Sequence, residues 1–148
     1  MYRHILIPTD GSEFARRSIP QALSLAKKLG AKVTALVVEH SFNVYGVPES
    51  KMYTMPNEYA AYAKHIKEHA SKVLDDVARA AKAEGVNCTT KQVVHDHAHE
   101  AIINTAEKEG CDLIVMASHG RSGLSGLVLG SVTTKVLTHT QIPVLVCH

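Results

Sequence analysis

The chain has 148 residues and 16.0 kDa, the size of one domain, and a domain this long buries about 68–70% of its unfolded surface without needing staples. Hydrophobic residues make up 45% and charged residues 20%, and 16 Lys+Arg against 14 Asp+Glu leave +2, too balanced for a dedicated nucleic-acid or membrane-surface binder. No apolar run approaches the roughly 20 residues of a membrane span, and the N-terminus turns polar too soon for a signal peptide. Cys88, Cys111 and Cys147 are odd in number and widely spaced, matching neither a disulfide framework nor a zinc ligand set, so a reducing, cytoplasmic compartment is expected.

Arg3–Pro8 reads as a strand that ends in the turn cluster Thr9-Asp10-Gly11-Ser12. Ser12 is an N-cap for a helix to Leu29, with Ala15, Ile19, Ala22, Leu23 and Ala26 on one face and Gly30 as its stop. Pro20 lies inside that helix and is expected to kink it or force a late start. Lys32–Glu39 is a second strand, nearly continuous in apolar residues as a strand buried on both faces should be. Residues 40–57 carry Gly46, Pro48 and Pro56 without periodicity and read as a long loop. A helix follows from Glu58 to Glu84, with an apolar stripe of Ile66, Ala70, Val73, Leu74, Val77 and Ala81. Cys88–Val94 is a third strand, His99–Glu109 a helix closed by Gly110, and Asp112–Ala117 a fourth strand. A Gly/Ser-rich loop spans Ser118–Leu129, a helix Ser131–Thr138, and a last strand Ile142–Cys147.

Strict alternation of strand and helix implies an α/β fold with a parallel sheet and helices on both faces. Ligands of such sheets bind beyond the carboxyl ends of the strands, where the strand order reverses. If the chain winds outward through strands one to three and then returns, the reversal lies between strands one and four. Their carboxyl ends are Pro8-Thr9-Asp10 and Ala117-Ser118-His119-Gly120.

The loop after strand four reads ASHGRSGLSGLVLGS, and Gly120, Gly123, Gly126 and Gly130 let backbone approach a ligand closely. Gly130-Ser131 opens a helix, whose free N–H groups and partial positive charge suit phosphate, and Ser131, Thr133 and Thr134 add hydroxyls. The spacing alone also allows a plain surface loop with Ser131 as a helix cap, and neither GxxxxGK[ST] nor GxGxxG is present.

With ILIPTDGS at the start and DLIVMASHGRSGLSGLVLGSVTTKVLTHTQIPVLV at the end, the chain resembles the universal stress protein family from end to end. Nucleotide-binding members of that family carry G-x2-G-x9-G-[ST]. Here the motif is Ala117-Ser118-His119-Gly120, nine residues Arg121–Leu129, then Gly130-Ser131, with Ala117 in place of the first glycine. The resemblance implies a five-stranded Rossmann-like sheet of order 3-2-1-4-5 over residues 1–148, and ATP (or ADP or AMP) with Mg²⁺ as ligand. It further implies that Pro8, Thr9 and Asp10 line the adenine and ribose side and that Val38 flanks the adenine through its backbone. Met116 and Ala117 would lie under the ribose, His119 and Gly120 would face the phosphates, and Gly130, Ser131, Val132 and Thr133 would donate to the phosphate chain. Charge and place add Arg121 as a contact for the terminal phosphate. The family pairs its last strand with a second subunit, which implies a homodimer through residues 142–147; an unidentified protein partner fits the same picture, and neither nucleic acid nor membrane does.

Two further groups invite chemistry. His95, His97 and His99 alternate, with Asp96 and Glu100 nearby, as a short extended metal site might; the plainer reading is a strand end with Asp96 or His97 capping the next helix. His65 and His69 share a solvated helix face. Phe42, Tyr45 and Tyr53 make an aromatic loop that either simply covers the sheet end or serves as a lid or a docking surface. The cysteines have no partner that marks a nucleophile. The resulting expectation is an adenine-nucleotide-binding, homodimeric stress-response module. The alternatives are a nucleotide-free dimeric scaffold, a slow ATPase and a histidine-cluster metal binder. Asp and Glu are absent from residues 118–148, so any hydrolysis is expected to be slow.

Overall fold

A computed structural model describes residues 1–40, 56–120 and 128–148. The strands are β1 (His4–Pro8), β2 (Lys32–Glu39), β3 (Cys88–Val94), β4 (Leu113–Ala117) and β5 (Val144–Cys147). The helices are α1 (Glu13–Leu29), α2 (Pro56–Glu84), α3 (Ala98–Glu109) and α4 (Ser131–His139). The strands form one five-stranded sheet of order β3-β2-β1-β4-β5, and every pairing is parallel. The expected order therefore holds, and the reversal falls between β1 and β4.

β1 shows why both faces must be covered. Ile5 and Ile7 point into a core shared with α1 and α2, through Leu23, Val33, Val37, Val77 and Val115. Leu6 points the other way, into a second core with Leu36, Ile102, Ile114, Met116 and Val136. Burying side chains of this size contributes about 1.5–3 kcal/mol each, so a helical layer on each face is the stable solution.

Helix α1 starts as expected, with Ser12 Oγ accepting from the Ala15 N–H at 3.2 Å, and stops at Gly30 with φ 64°. Pro20, however, neither breaks nor delays it: the helix runs unbroken from Glu13 to Leu29. Pro20 lies on the exposed face, where the Arg16 carbonyl that loses its helical donor can be hydrated. Helix α2 begins at Pro56, two residues before the sequence expectation, because proline at a first helical position sacrifices no bond. β5 begins at Val144 rather than Ile142; Pro143 lacks an N–H, but its carbonyl accepts from Ile114 at 2.9 Å.

The amino end of the sheet is tied together by its own side chains, although His4 Nδ1 is buried with no hydrogen-bond partner among the described residues. Asp112 accepts from the Arg3 N–H at 2.9 Å and the His4 N–H at 2.9 Å. Burial raises the Asp112 carboxyl, but the backbone donors of His4, Arg3 and Asp112 itself, with the His4 charge, together hold it below the usual carboxylate value. His4 Nε2 meets Thr34 Oγ1 at 2.8 Å, and Thr34 Oγ1 meets Thr89 Oγ1 at 3.0 Å. Burial, with the Lys32 charge second, keeps the His4 imidazole below its ordinary pKa. Among the described residues no helix is long and apolar enough to cross a membrane.

Candidate functional site

Where β1 and β4 part, at their carboxyl ends, lies a cleft of about 300 Å³. That volume is at the small end of the range for small-molecule sites, about 300–1,000 Å³. Pro8, Thr9, Asp10, Val38, Met116, Ala117, His119, Gly120, Gly130, Ser131, Val132 and Thr133 all line it, so every site residue carried over from the motif comes to one place. Arg121, Gly123, Gly126 and the aromatic Phe42, Tyr45 and Tyr53 lie outside the described residues.

The far wall is the start of α4. The Ser118 N–H extends the β4 ladder to the Cys147 carbonyl at 2.8 Å, and the Ser118 carbonyl accepts from the Gly130 N–H at 2.8 Å. This pins the loop's return to the strand it left. Gly130 is the N-cap, so α4 has no side-chain cap, and no acidic residue stands in its first turn. The first backbone bond of the helix is Thr134 N–H to Gly130 carbonyl at 3.0 Å, so the N–H groups of Ser131, Val132 and Thr133 precede the ladder. Gly130 has φ −60°, which any residue tolerates. What glycine supplies is clearance: a Cβ would lie 3.2 Å from the Ser118 carbonyl and 3.3 Å from His119 Cα.

The near wall is the turn after β1. Thr9 donates its N–H to the Leu36 carbonyl at 2.8 Å, and Asp10 Oδ1 accepts from the Ser12 N–H at 2.8 Å. The other carboxylate oxygen reaches across the cleft, where a Cβ on Gly120 would meet it at 2.7 Å. His119 is 8% exposed. Its Nδ1 lies 3.0 Å from Ser118 Oγ, and the Phe14 ring lies against it with centroids 5.7 Å apart. Its Nε2 is buried with no hydrogen-bond partner among the described residues. Such an atom costs about 1–3 kcal/mol unless something in the cleft meets it.

Ala117 occupies the motif position of a glycine. No described non-glycine residue has positive φ, so the alanine meets no backbone penalty there. Two details differ from the sequence expectation. The Thr133 hydroxyl donates to the Ala117 carbonyl at 2.9 Å and the Thr134 hydroxyl to the Gly130 carbonyl at 3.0 Å, so both protons fix the helix start instead of facing the cleft. At α3, His97 is the N-cap residue but makes no side-chain capping bond. Sequence reasoning missed Ala15, Leu36, His40, Ala98 and Ile102, which also line the cleft. His40 was the findable one, since it directly follows β2 at the carboxyl edge of the sheet.

The thiols are poor nucleophiles. Burial raises all of them, Cys111 to about 11. The imidazoles of His95, His97, His99 and His139 form a row across α3 and α4, and His99 is held below its ordinary pKa first by burial and then by the Lys135 charge.

A doubly wound parallel sheet with a bare, glycine-cleared helix start at its reversal defines a Rossmann-like α/β protein. The universal stress protein family model matches residues 1–148, and the chain belongs to that family. It is 34% identical over 146 residues to universal stress protein MJ0531 of Methanocaldococcus jannaschii, covering 99% of this chain and 82% of that one. The solved structure of MJ0577, a universal stress protein of the same organism, superposes with a TM-score of 0.80 at 29% identity, covering 99% and 95% of the two chains. Two solved universal stress proteins share the fold at lower identity. One, in complex with cAMP, has a TM-score of 0.67 at 24% identity over 99% of this chain and 97% of its own. The other, from Arabidopsis thaliana with AMP bound, has a TM-score of 0.66 at 17% over 97% and 90%.

Proposed function

We propose that the cleft binds an adenine nucleotide, ATP or its ADP and AMP forms. The protein then works as a homodimeric stress-response module that signals by occupancy. The observation that carries this reading is the α4 start: uncapped, cleared by Gly130 and Gly120, and opening into the cleft at the sheet's reversal. Its N–H groups at Ser131, Val132 and Thr133, with the helix dipole, suit a phosphate chain. Asp10 accepts from the ribose hydroxyls; Pro8, Thr9 and Val38 flank the base, and His119 Nε2 meets the phosphate side. The cAMP and AMP complexes of proteins with this fold make adenine nucleotides the natural first ligands to test.

Mg²⁺ fits the cleft only sparingly. Asp10 is the sole carboxylate lining it among the described residues, so the ion would be carried mainly by the phosphates themselves. With one carboxylate there is little to orient an attacking water, and MgATP turnover is expected to stay below about 1 s⁻¹. The dimer uses the β5 edge, where Leu145 is 43% exposed and the neighbouring strand positions are half-buried. An unpaired apolar edge is an aggregation hazard that pairing with a second copy removes. Leu145→Lys should shift the sedimentation coefficient to that of a monomer.

Calorimetric titration of nucleotide-stripped protein with MgATP tests the site. Micromolar binding that disappears in a Gly130→Ala, Ser131→Ala double variant supports it. No heat and no thermal shift in the wild type refutes it and leaves the scaffold reading.

A further inference from the structure

The histidine row at the ends of α3 and α4 brings no three metal donors together among the described residues. The imidazole left without a part in the proposed function is His40, which lines the cleft itself. We propose that His40 reads the base: its Nδ1 accepts a hydrogen bond from the exocyclic 6-amino group of adenine and so sets the preference of the cleft among purine nucleotides. The inference rests on the adenine-nucleotide reading of the cleft and assigns the side chain that recognises the base edge.

His40 reaches the cleft by strand alternation. Leu36, Val38 and His40 stand two residues apart, a spacing that puts side chains on one face of a strand, and all three line the cleft. His40 lies one residue past β2, but the ladder to β3 continues there, since the His95 N–H donates to the Glu39 carbonyl at 2.9 Å. The β2 side of the cleft is otherwise apolar, with Leu36 and Val38 from the strand and Ala98 and Ile102 from α3. Among the described residues, His40 alone brings a polar side chain to that side.

The position of the phosphate site decides which end of a nucleotide His40 meets. The uncapped start of α4 follows β4, and in the order β3-β2-β1-β4-β5 the end of β2 lies two strand spacings away, about 10 Å. That separation places the base, and not the phosphates, beside His40. Its Nδ1 is buried with no hydrogen-bond partner among the described residues, a cost that a donor on the ligand relieves. Thr9 and Thr133, by contrast, are already committed: Thr9 Oγ1 accepts from the Gly11 N–H at 3.3 Å and the Thr133 hydroxyl donates to the Ala117 carbonyl at 2.9 Å. An imidazole with its proton on Nε2 offers Nδ1 as an acceptor. That suits the 6-amino group of adenine, whereas the 6-oxo group of hypoxanthine or guanine would set acceptor against acceptor.

The test is calorimetric titration of the full-length, nucleotide-stripped protein with AMP, IMP and purine riboside 5′-monophosphate, which lacks the 6-amino group. Wild type should bind AMP about fivefold tighter than purine riboside monophosphate, the factor that one hydrogen bond supplies, and IMP more weakly still. His40→Leu should bring AMP to within about twofold of purine riboside monophosphate. His40→Asn, whose Oδ1 hangs from the same carbon as the lost Nδ1, should keep the preference. Equal affinity of wild type for AMP and purine riboside monophosphate would overturn the role of His40 while leaving the cleft reading in place, and so would an AMP preference unchanged in His40→Leu. No binding of any of the three would overturn both. The wild-type comparison needs no variant, so it decides the matter even where a substitution disturbs folding.

Discussion

Helices α1 and α4 both begin just beyond the carboxyl end of a strand, α1 after β1 and α4 after β4, yet their first turns are built in opposite ways. At α1 the chain supplies its own acceptors: Ser12 Oγ takes the Ala15 N–H, Asp10 takes the Ser12 N–H, and Glu13 stands in the first turn. At α4 the N-cap is Gly130, no side chain caps the helix, and the first turn holds no acid. The same backbone requirement is met internally at one helix and left open toward the cleft at the other. The start of α3 also lacks a side-chain cap, at His97, so what sets α4 apart is that its uncapped start lines the cleft, which is where the proposed phosphate acceptor would lie.

The contrast can be broken from either side. The largest effect is expected at Gly130→Val, whose side chain would press on the Ser118 carbonyl and His119 Cα, already 3.2 and 3.3 Å from a modest Cβ. Nucleotide affinity should fall at least a hundredfold by calorimetry, with a lower Tm. Ser12→Ala does the reverse: loss of a cap costs about 1 kcal/mol in denaturant melts, while affinity stays within threefold. Ala117→Gly restores the motif glycine but, since the alanine has no positive φ to relieve, should leave affinity within twofold. Its cost is strand stability, roughly 0.5–1 kcal/mol.

The smallest effect belongs to the opposite end of the sheet, where His4 is buried against Thr34. His4 has its pKa lowered from 6.5 in the folded state. As pH falls through 6.5 the unfolded chain takes up a proton that the folded chain refuses. Stability is therefore full above that pH and declines below it until the folded value is reached. His4→Gln should make the fall in Tm between pH 7 and 5 shallower; an unchanged slope would assign the dependence to other histidines.

The parallel α/β class and the place of the cleft were legible from local signals, alternation for the sheet and glycine spacing for the loop. The order 3-2-1-4-5 and the roles of the cleft residues came from the family resemblance, and the polar His40 was missed. What escaped is what depends on neighbours. Ala15, Leu36, Ala98 and Ile102 line the cleft only because the sheet's winding brings them there, and nothing in an apolar residue type announces that. Pro20 looked disruptive since one-dimensional reading does not say which face meets water. Thr133 looked like a ligand donor, but its proton goes to a carbonyl sixteen residues away that only the folded chain puts within 2.9 Å.

The most direct measurement is to close the open helix start and ask what is lost. Ser131 is exposed at the first position of α4, and Ser131→Asp puts a carboxylate where the helix dipole welcomes one. Such a charge is worth about 0.3–1 kcal/mol to the helix, so Tm should be unchanged or higher. MgATP affinity, titrated side by side with wild type, should fall at least tenfold because the carboxylate repels the phosphates and occupies their donors. Equal affinity in the two proteins would contradict the assignment of the α4 start as the phosphate site.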